Sequence, residues 1–283
     1  MNGTCFRLTT AFILICWLSG CARMAVQATS SLVPDFTAAF FEECDLDMAR
    51  DSLPAQLKLM EGLLKSDPGN RKILTALCMG FTGYAMLFIE DEDPERASRL
   101  YLRARTYGLR AIDLEGLSHE AIQESLQRLG REETAPLFWT ALSWNAWINL
   151  NLDKPEALGD LPVAEACLCR VMAMDPDYFF GSPSIITGAM LAARPRMLGG
   201  DAESAKTFFS RAMRVSNGAF FLAPYYYARY YAVRVQDKAL FLDLVKRIEQ
   251  GRPDQLREVC LINTAVQQKT KALEKMSDEL FFQ

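Results

Sequence analysis

The chain has 283 residues, half of them hydrophobic and 23% charged, with a net charge of −4 at neutral pH. That is ample for a buried core, and the acidic balance gives no general attraction to nucleic acid. The single histidine, His119, argues against a histidine triad and a multi-histidine metal site, so no metal or cofactor is expected.

The first twenty residues read as a targeting segment. MNGTCFR carries one cation, Arg7, and is followed by LTTAFILICWL, an apolar run too short to span a bilayer as a stable helix. The next residues, LSGC at 18–21, resemble a bacterial lipobox, in which Cys21 becomes the first mature residue and carries the lipid. Ala22 in the following position resembles outer-membrane lipoproteins. The expectation is a periplasmic lipoprotein, anchored through Cys21, with the outer membrane favoured. The plainer alternative is an ordinary signal peptide with a chance cysteine. Several acyl chains on one residue anchor a protein firmly, whereas one does not. Loss of residues 1–20 removes Arg7 and leaves a mature charge of −5. Residues 21–35 (CARMAVQATSSLVPD) then read as a lipidated polar tether, and residues 36–283 as one helical domain.

Of eight cysteines, Cys5 and Cys16 depart with the signal and Cys21 is taken by lipid. Cys44, Cys78, Cys167, Cys169 and Cys260 remain. An odd, widely scattered set is not a disulfide framework, so these are expected as small apolar core residues.

Beyond the tether, apolar residues recur at three and four, and no alternating run with hairpin turns appears. Breaks fall at SDPGN (66–70), EDEDPE (90–95), DLEG (113–116), LNLDKPE (150–156), MDPDY (174–178), LGGD (198–201) and EQGRPD (249–254). Helices joined by short turns prompt a search for repeats. DPERASRLYLRA from Asp93 and DAESAKTFFSRA from Asp201 share D-x-E-x-A-x-x-x-aromatic-x-R-A. Ala97 matches Ala205, Tyr101 matches Phe209 and Ala104 matches Ala212. Ala164, Leu168, Val171 and Pro176 keep that spacing, and Met60, Leu63 and Pro68 echo it. Small-large-small-Pro is the pattern of the second helix of a tetratricopeptide repeat. The expected fold is all-α, a solenoid of about four degenerate helix pairs with irregular spacing. In it, Gly199 and Gly200 close one helix, where positive φ is wanted, and Asp201 caps the next. A phosphate loop would need a preceding strand and a Gly-Lys-Ser/Thr ending, and neither is present.

Several blocks, in order, resemble one family. They are GFTGYAMLFIED (80–91), FWTALSWNAWINLNLDKPEALGDLP (138–162), FFGSPSIITGAMLAARPRMLGGDAESAKTFFSRAM (179–213), APYYYARYYAVRVQDKALF (223–241) and INTAVQQKTKALEK (262–275). From about Leu57 onward the chain resembles the T component of tripartite ATP-independent periplasmic (TRAP) transporters. The resemblance implies a non-enzymatic periplasmic lipoprotein with degenerate tetratricopeptide-like repeats. It also implies work with the transporter's substrate-binding protein, and self-association into a homo-oligomer such as a trimer.

Candidate binding residues follow from cost. Trp139, Trp144 and Trp147 are read as inter-helix core or as the lining of a groove, with Asn145 among them as a hydrogen-bonding partner. Tyr225, Tyr226, Tyr227, Tyr230 and Tyr231 crowd one helix with Arg229 and Arg234. Three consecutive tyrosines face different directions, so some are expected at a partner or ligand surface, tyrosine being a ring with a polar tip. Arg194 and Arg196, flanking Pro195, either hold an anionic ligand or acidic partner, or pair with acids of the next turn or cap helix carbonyls; the second is the plainer reading. Glu90, Asp91, Glu92 and Asp93 read as a solvated turn. Two functions are carried forward, a docking protein and a carrier of a hydrophobic small molecule in an internal channel. An enzyme is set aside, because no nucleophile, base or cofactor motif assembles.

Overall fold

The computed structural model describes residues 26–281. The signal segment and Cys21 lie outside the described residues. The described chain is all-helical, with no strand. Its helices are α1 (Val33–Phe41), α2 (Leu46–Ser66), α3 (Arg71–Tyr84), α4 (Pro94–Ala111), α5 (His119–Leu126), α6 (Thr134–Asn149) and α7 (Pro155–Met174). The second half adds α8 (Tyr178–Ala193), α9 (Ala202–Val215), α10 (Leu222–Tyr226), α11 (Lys238–Gln250), α12 (Cys260–Lys275) and α13 (Ser277–Leu280). Two π-helical turns, Ala85–Ile89 and Tyr227–Ala232, continue α3 and α10.

The polar breaks do the work expected of them. Asp45, Asn70, Asp93, Ser118, Asp201 and Asp237 each accept backbone N–H bonds at the start of a helix, filling donors that have no partner within it. Gly199 takes φ +82°, and a Cβ on Gly200 would lie 1.9 Å from the Arg194 carbonyl oxygen. The Gly-Gly pair is therefore a turn made for close backbone approach, not a ligand loop.

Consecutive helices pack side by side: α3 on α4, α4 on α6, α6 on α7 and α8 on α9. Small residues allow this. A Cβ on Gly108 would fall 2.0 Å from Thr140 Oγ1, so α4 and α6 meet where no side chain intervenes. The two matching motifs are buried alike: Ala97, Tyr101 and Ala104, and Ala205, Phe209 and Ala212, are all fully buried. Arg71–Ile89 is long and apolar enough to cross a membrane, yet it is largely packed inside the fold, as a core helix is.

Among the described residues the buried apolar side chains form two clusters. One is built mainly from α2 to α7 and also takes Val33, Ile186, Met190 and Leu261; the other is built mainly from α8 to α12. Phe41, Leu87, Phe179 and Tyr226 are half-buried and pack against both. These four mark a seam.

Two expectations are corrected. Residues 26–30 and Val33–Phe41 are helical, so the stretch read as a tether is already folded at residue 26. Proline at the start of α1 suits a helix, because its missing N–H falls where none is needed. Cys44 and Cys260, read as unpaired core residues, form a disulfide across 216 residues. In the chain-entropy model, closing so long a loop is worth about 5 kcal/mol. Cys78 and Cys167 are free and buried as expected, and burial pushes both thiols up to about 12. Cys169 is free and exposed.

Candidate functional site

Trp139 comes from the middle of α6, a helix so apolar on all sides that it is buried along nearly its whole length. Its indole stacks on Phe41 of α1 at 6.2 Å between centroids and meets Phe179 of α8 edge-on at 5.4 Å. Phe41 and Phe179 are 5.3 Å apart, which closes the triangle. Such pairs add about 0.5–1.5 kcal/mol each beyond their burial.

Phe179 holds its place at a backbone cost. Phe179, Phe180 and Gly181 take φ of 45°, 59° and 79° in succession. Glycine adopts this region freely, but for the two phenylalanines it costs roughly 1–2 kcal/mol each. The reversal turns Phe179 and Phe180 onto Phe220 of the second core. Strain of this kind persists where surrounding packing imposes it, and it clusters at functional sites. The Trp139 N–H is buried and closes no hydrogen bond, although it leans toward the Tyr178 hydroxyl. Beside the triangle is an apolar cavity of about 640 Å³, walled by Val33, Phe41, Ala76, Met79, Pro136 and Phe179. That volume falls in the range of small-molecule pockets, which are mostly apolar with a few polar groups. Arg71, Lys72, Glu132 and Glu133 stand at its walls, and Arg71 is paired with Asp113 and Glu133.

The other tryptophans lie away from this cavity. Trp144 donates from Nε1 to Asp160 Oδ2 at 2.7 Å, and Arg105 reaches the same oxygen at 2.7 Å. The Arg105 guanidinium lies over the Trp144 and Trp147 rings, 4.8 and 5.4 Å from their centroids. His119 Nε2 sits 3.0 Å from Asp160 Oδ1. Asp160 thus ties α4, α5, α6 and α7 together. Asn145 is buried and donates to the Ala141 carbonyl of its own helix.

The tyrosine helix divides in two. Tyr225, Tyr227 and Tyr231 are buried, and Tyr227 stacks on Phe209 at 5.0 Å. Tyr226 and Tyr230 are half-buried and meet edge-on at 5.2 Å. The Tyr226 hydroxyl reaches Met86 Sδ, 3.9 Å away in the opposite π-helical turn. Arg229 donates to Tyr225 Oη at 2.9 Å and lies over the Tyr225 and Tyr230 rings. Arg234 is exposed at the end of this segment. Facing the cluster is Glu90, which accepts the Tyr101 hydroxyl proton. Burial pushes the Glu90 carboxyl above its ordinary range, against that hydrogen bond and the nearby Lys269 and Arg229. Glu90 is thus no member of a solvated turn, whereas Asp91, Glu92 and Asp93 are exposed. Arg194 pairs with Glu165 of α7, an acid 29 residues earlier in the chain and not one of the next turn.

Of the residues singled out from the sequence, Tyr226 lies at the seam and Trp139 packs on two of its members, Phe41 and Phe179. Sequence reasoning missed Phe41, Phe179, Phe180 and Met79, and it read Glu90 as solvated. An aromatic doublet before Gly181 and Pro183 was the available signal for an unusual turn.

The described residues thus form an all-helical scaffold with an aromatic triangle beside an apolar cavity, at the joint of two apolar clusters. The model of the TRAP transporter T-component family matches residues 42–281, and the chain belongs to that family. A relative from Treponema pallidum (strain Nichols), described as an uncharacterized protein, is 29% identical over 204 residues, which is 64% of this chain. The chain spans 63% of that relative's length, just under two thirds.

Proposed function

We propose that this protein is a periplasmic lipoprotein of a TRAP transport system, held at the membrane through Cys21, that docks the system's substrate-binding protein on a surface of degenerate tetratricopeptide-like helix pairs. It acts as a homo-oligomer and without chemistry of its own. The family match over residues 42–281 carries this reading. The half-buried pair Tyr226 and Tyr230, with Arg229 over the Tyr230 ring, supports a contact role, since aromatic and arginine anchors concentrate interface energy. Titrating the chain lacking residues 1–21 with a TRAP substrate-binding protein from the same organism tests the reading. Saturable binding is expected, and no binding at micromolar concentrations of either protein would refute docking.

A second reading, a carrier of a hydrophobic small molecule, is favoured by the 640 Å³ cavity and its aromatic wall. Native mass spectrometry of the purified protein is expected to show an added mass that organic extraction removes. A bare protein mass under conditions that retain known lipid complexes would sink this reading.

A further inference from the structure

The two π-helical turns among the described residues meet at the seam, where Tyr226 touches Met86. Such turns are rare, and they fall often at functional sites. Met86 and Glu90 lie on or beside the first turn, and Tyr226, Arg229 and Tyr230 on or beside the second. All five keep part of their surface open to solvent, while Tyr101 behind Glu90 is fully buried. They therefore line a cleft and not a core.

Hydrogen bonding in this cleft is incomplete. Tyr101 donates to one carboxylate oxygen of Glu90, and among the described residues no second bond to that carboxylate closes. The Tyr230 hydroxyl closes none, and the Tyr226 hydroxyl has only the Met86 sulfur, a weak acceptor. Arg229 commits one of a guanidinium's five N–H donors, to Tyr225 Oη. Arg229 acts on Glu90 through its field, yet the two close no ion pair with each other. Lys269, the other cation near Glu90, is already paired with Asp91. Glu90 is thus kept at a cost to folding, because burial disfavours its charge and its neighbours only partly restore it.

Two opposite charges held apart in one cleft select a ligand that carries both. A lone cation gains from Glu90 but is repelled by Arg229, and a lone anion meets the reverse. An ammonium and a carboxylate on one small molecule answer both. The tyrosine rings and the pliable Met86 side chain offer apolar contact to whatever else that molecule carries. We infer that this cleft binds a zwitterionic α-amino acid with an apolar side chain. Its ammonium sits on Glu90, its carboxylate on Arg229 and the Tyr230 hydroxyl, and its side chain against Tyr226 and Met86. The site is separate from the apolar cavity beside Phe179 and goes beyond docking. No partner protein enters its test, so failure here and failure of the docking titration are distinct results.

The probes are L-leucine and L-phenylalanine, titrated calorimetrically into the full chain at neutral pH. At least one is expected to bind saturably with Kd below about 1 mM. The matching amines and acids, isoamylamine with isocaproate and phenethylamine with hydrocinnamate, keep the side chain and one charge each. They should bind at least tenfold more weakly. Glu90→Gln and Arg229→Gln should each lower affinity tenfold or more, and Tyr230→Phe severalfold. Glu90→Gln and Tyr230→Phe keep the shape of the side chain, so they report on binding even if Arg229→Gln fails to fold. Failure of both amino acids to bind at millimolar concentration overturns the inference. So does a one-charge analogue that binds as tightly as its amino acid, or an affinity that Glu90→Gln leaves unchanged.

Discussion

Trp139 and Trp144 stand on one helix, five residues apart, and live in opposite conditions. Trp144 has its N–H on Asp160, a guanidinium on its face and His119 at its edge. Trp139 has an N–H with no closed bond, two strained phenylalanines nearby, and Phe41 and Phe179 between it and a cavity whose wall it does not join. Burial does not separate them, since both are buried. What separates them is completeness. Around Trp144 every charge and donor is answered, which is how a core region earns stability. Around Trp139 a donor is left unanswered and backbone strain is retained at Phe179 and Phe180, which is where a binding function is to be sought. Residue type and spacing are the same, so the difference is made by the helices that pack against each ring.

The comparison breaks first under deletion of the rings. Trp144→Ala should destabilise by about 3–5 kcal/mol, as large core truncations do, and should also remove a donor from Asp160 and the ring face from Arg105. Tyr227→Ala, which empties the space beside Phe209, should behave similarly. Tyr226→Ala should cost clearly less stability while weakening partner or ligand binding. Urea unfolding read by fluorescence checks all three. A Tyr226→Ala loss equal to that of Tyr227→Ala would make the tyrosine helix core on both faces.

A gentler pair sharpens the contrast. Trp144→Phe keeps most of the ring and removes the N–H bonded to a carboxylate, so about 1.5–3 kcal/mol should go. Trp139→Phe removes an N–H that closes no bond, so the change should stay within about 1 kcal/mol. Equal losses in the two variants would show that Trp139 is as well satisfied as Trp144, and the cavity would lose its strongest support.

How much of this was legible beforehand follows from range. The caps at Asp93 and Asp201 and the turn at Gly199–Gly200 are local, fixed by residues within one helical turn, and they were readable. The shared burial of Ala97–Tyr101–Ala104 and Ala205–Phe209–Ala212 was readable because helix periodicity puts each set on one face. The Cys44–Cys260 bond was not, since nothing local joins residues 216 apart, and an odd cysteine count argued against any bridge. The reversal at Phe179–Phe180 was hidden because phenylalanine resists positive φ; only packing from Phe41, Trp139 and Phe220 imposes it. The inward turn of Tyr225, Tyr227 and Tyr231 was half-visible. A run of tyrosines has to face several ways, but which ways depend on the π-helical turn that shifts their register. Glu90 read as solvent-facing because its neighbours Asp91, Glu92 and Asp93 are, and a partner eleven residues on, Tyr101, drew it inward.

The smallest expected effect lies at Glu90, the one buried carboxylate of the seam that touches both the Tyr101 hydroxyl and the field of Arg229. Desolvation lifts its pKa above the ordinary value, and Tyr101, Lys269 and Arg229 only partly restore it. An acid whose folded pKa is raised binds its proton more readily when folded. Its ionisation therefore takes stability away as pH climbs from the unfolded value, about 4.3, through the folded one, and below both values it contributes nothing. Glu90→Gln abolishes that titration, and its amide oxygen can still accept from Tyr101. The variant should then gain up to about 1 kcal/mol over the natural chain at pH 7. The gain should be smaller at pH 4, where Glu90 is largely protonated in both states. Thermal unfolding at the two pH values decides the sign. A variant less stable at pH 7 than at pH 4, relative to the natural chain, would mean that the Arg229 and Lys269 charges outweigh burial. The seam would then be an ion-paired joint at this point and would resemble the Asp160 hub more than the Trp139 cavity.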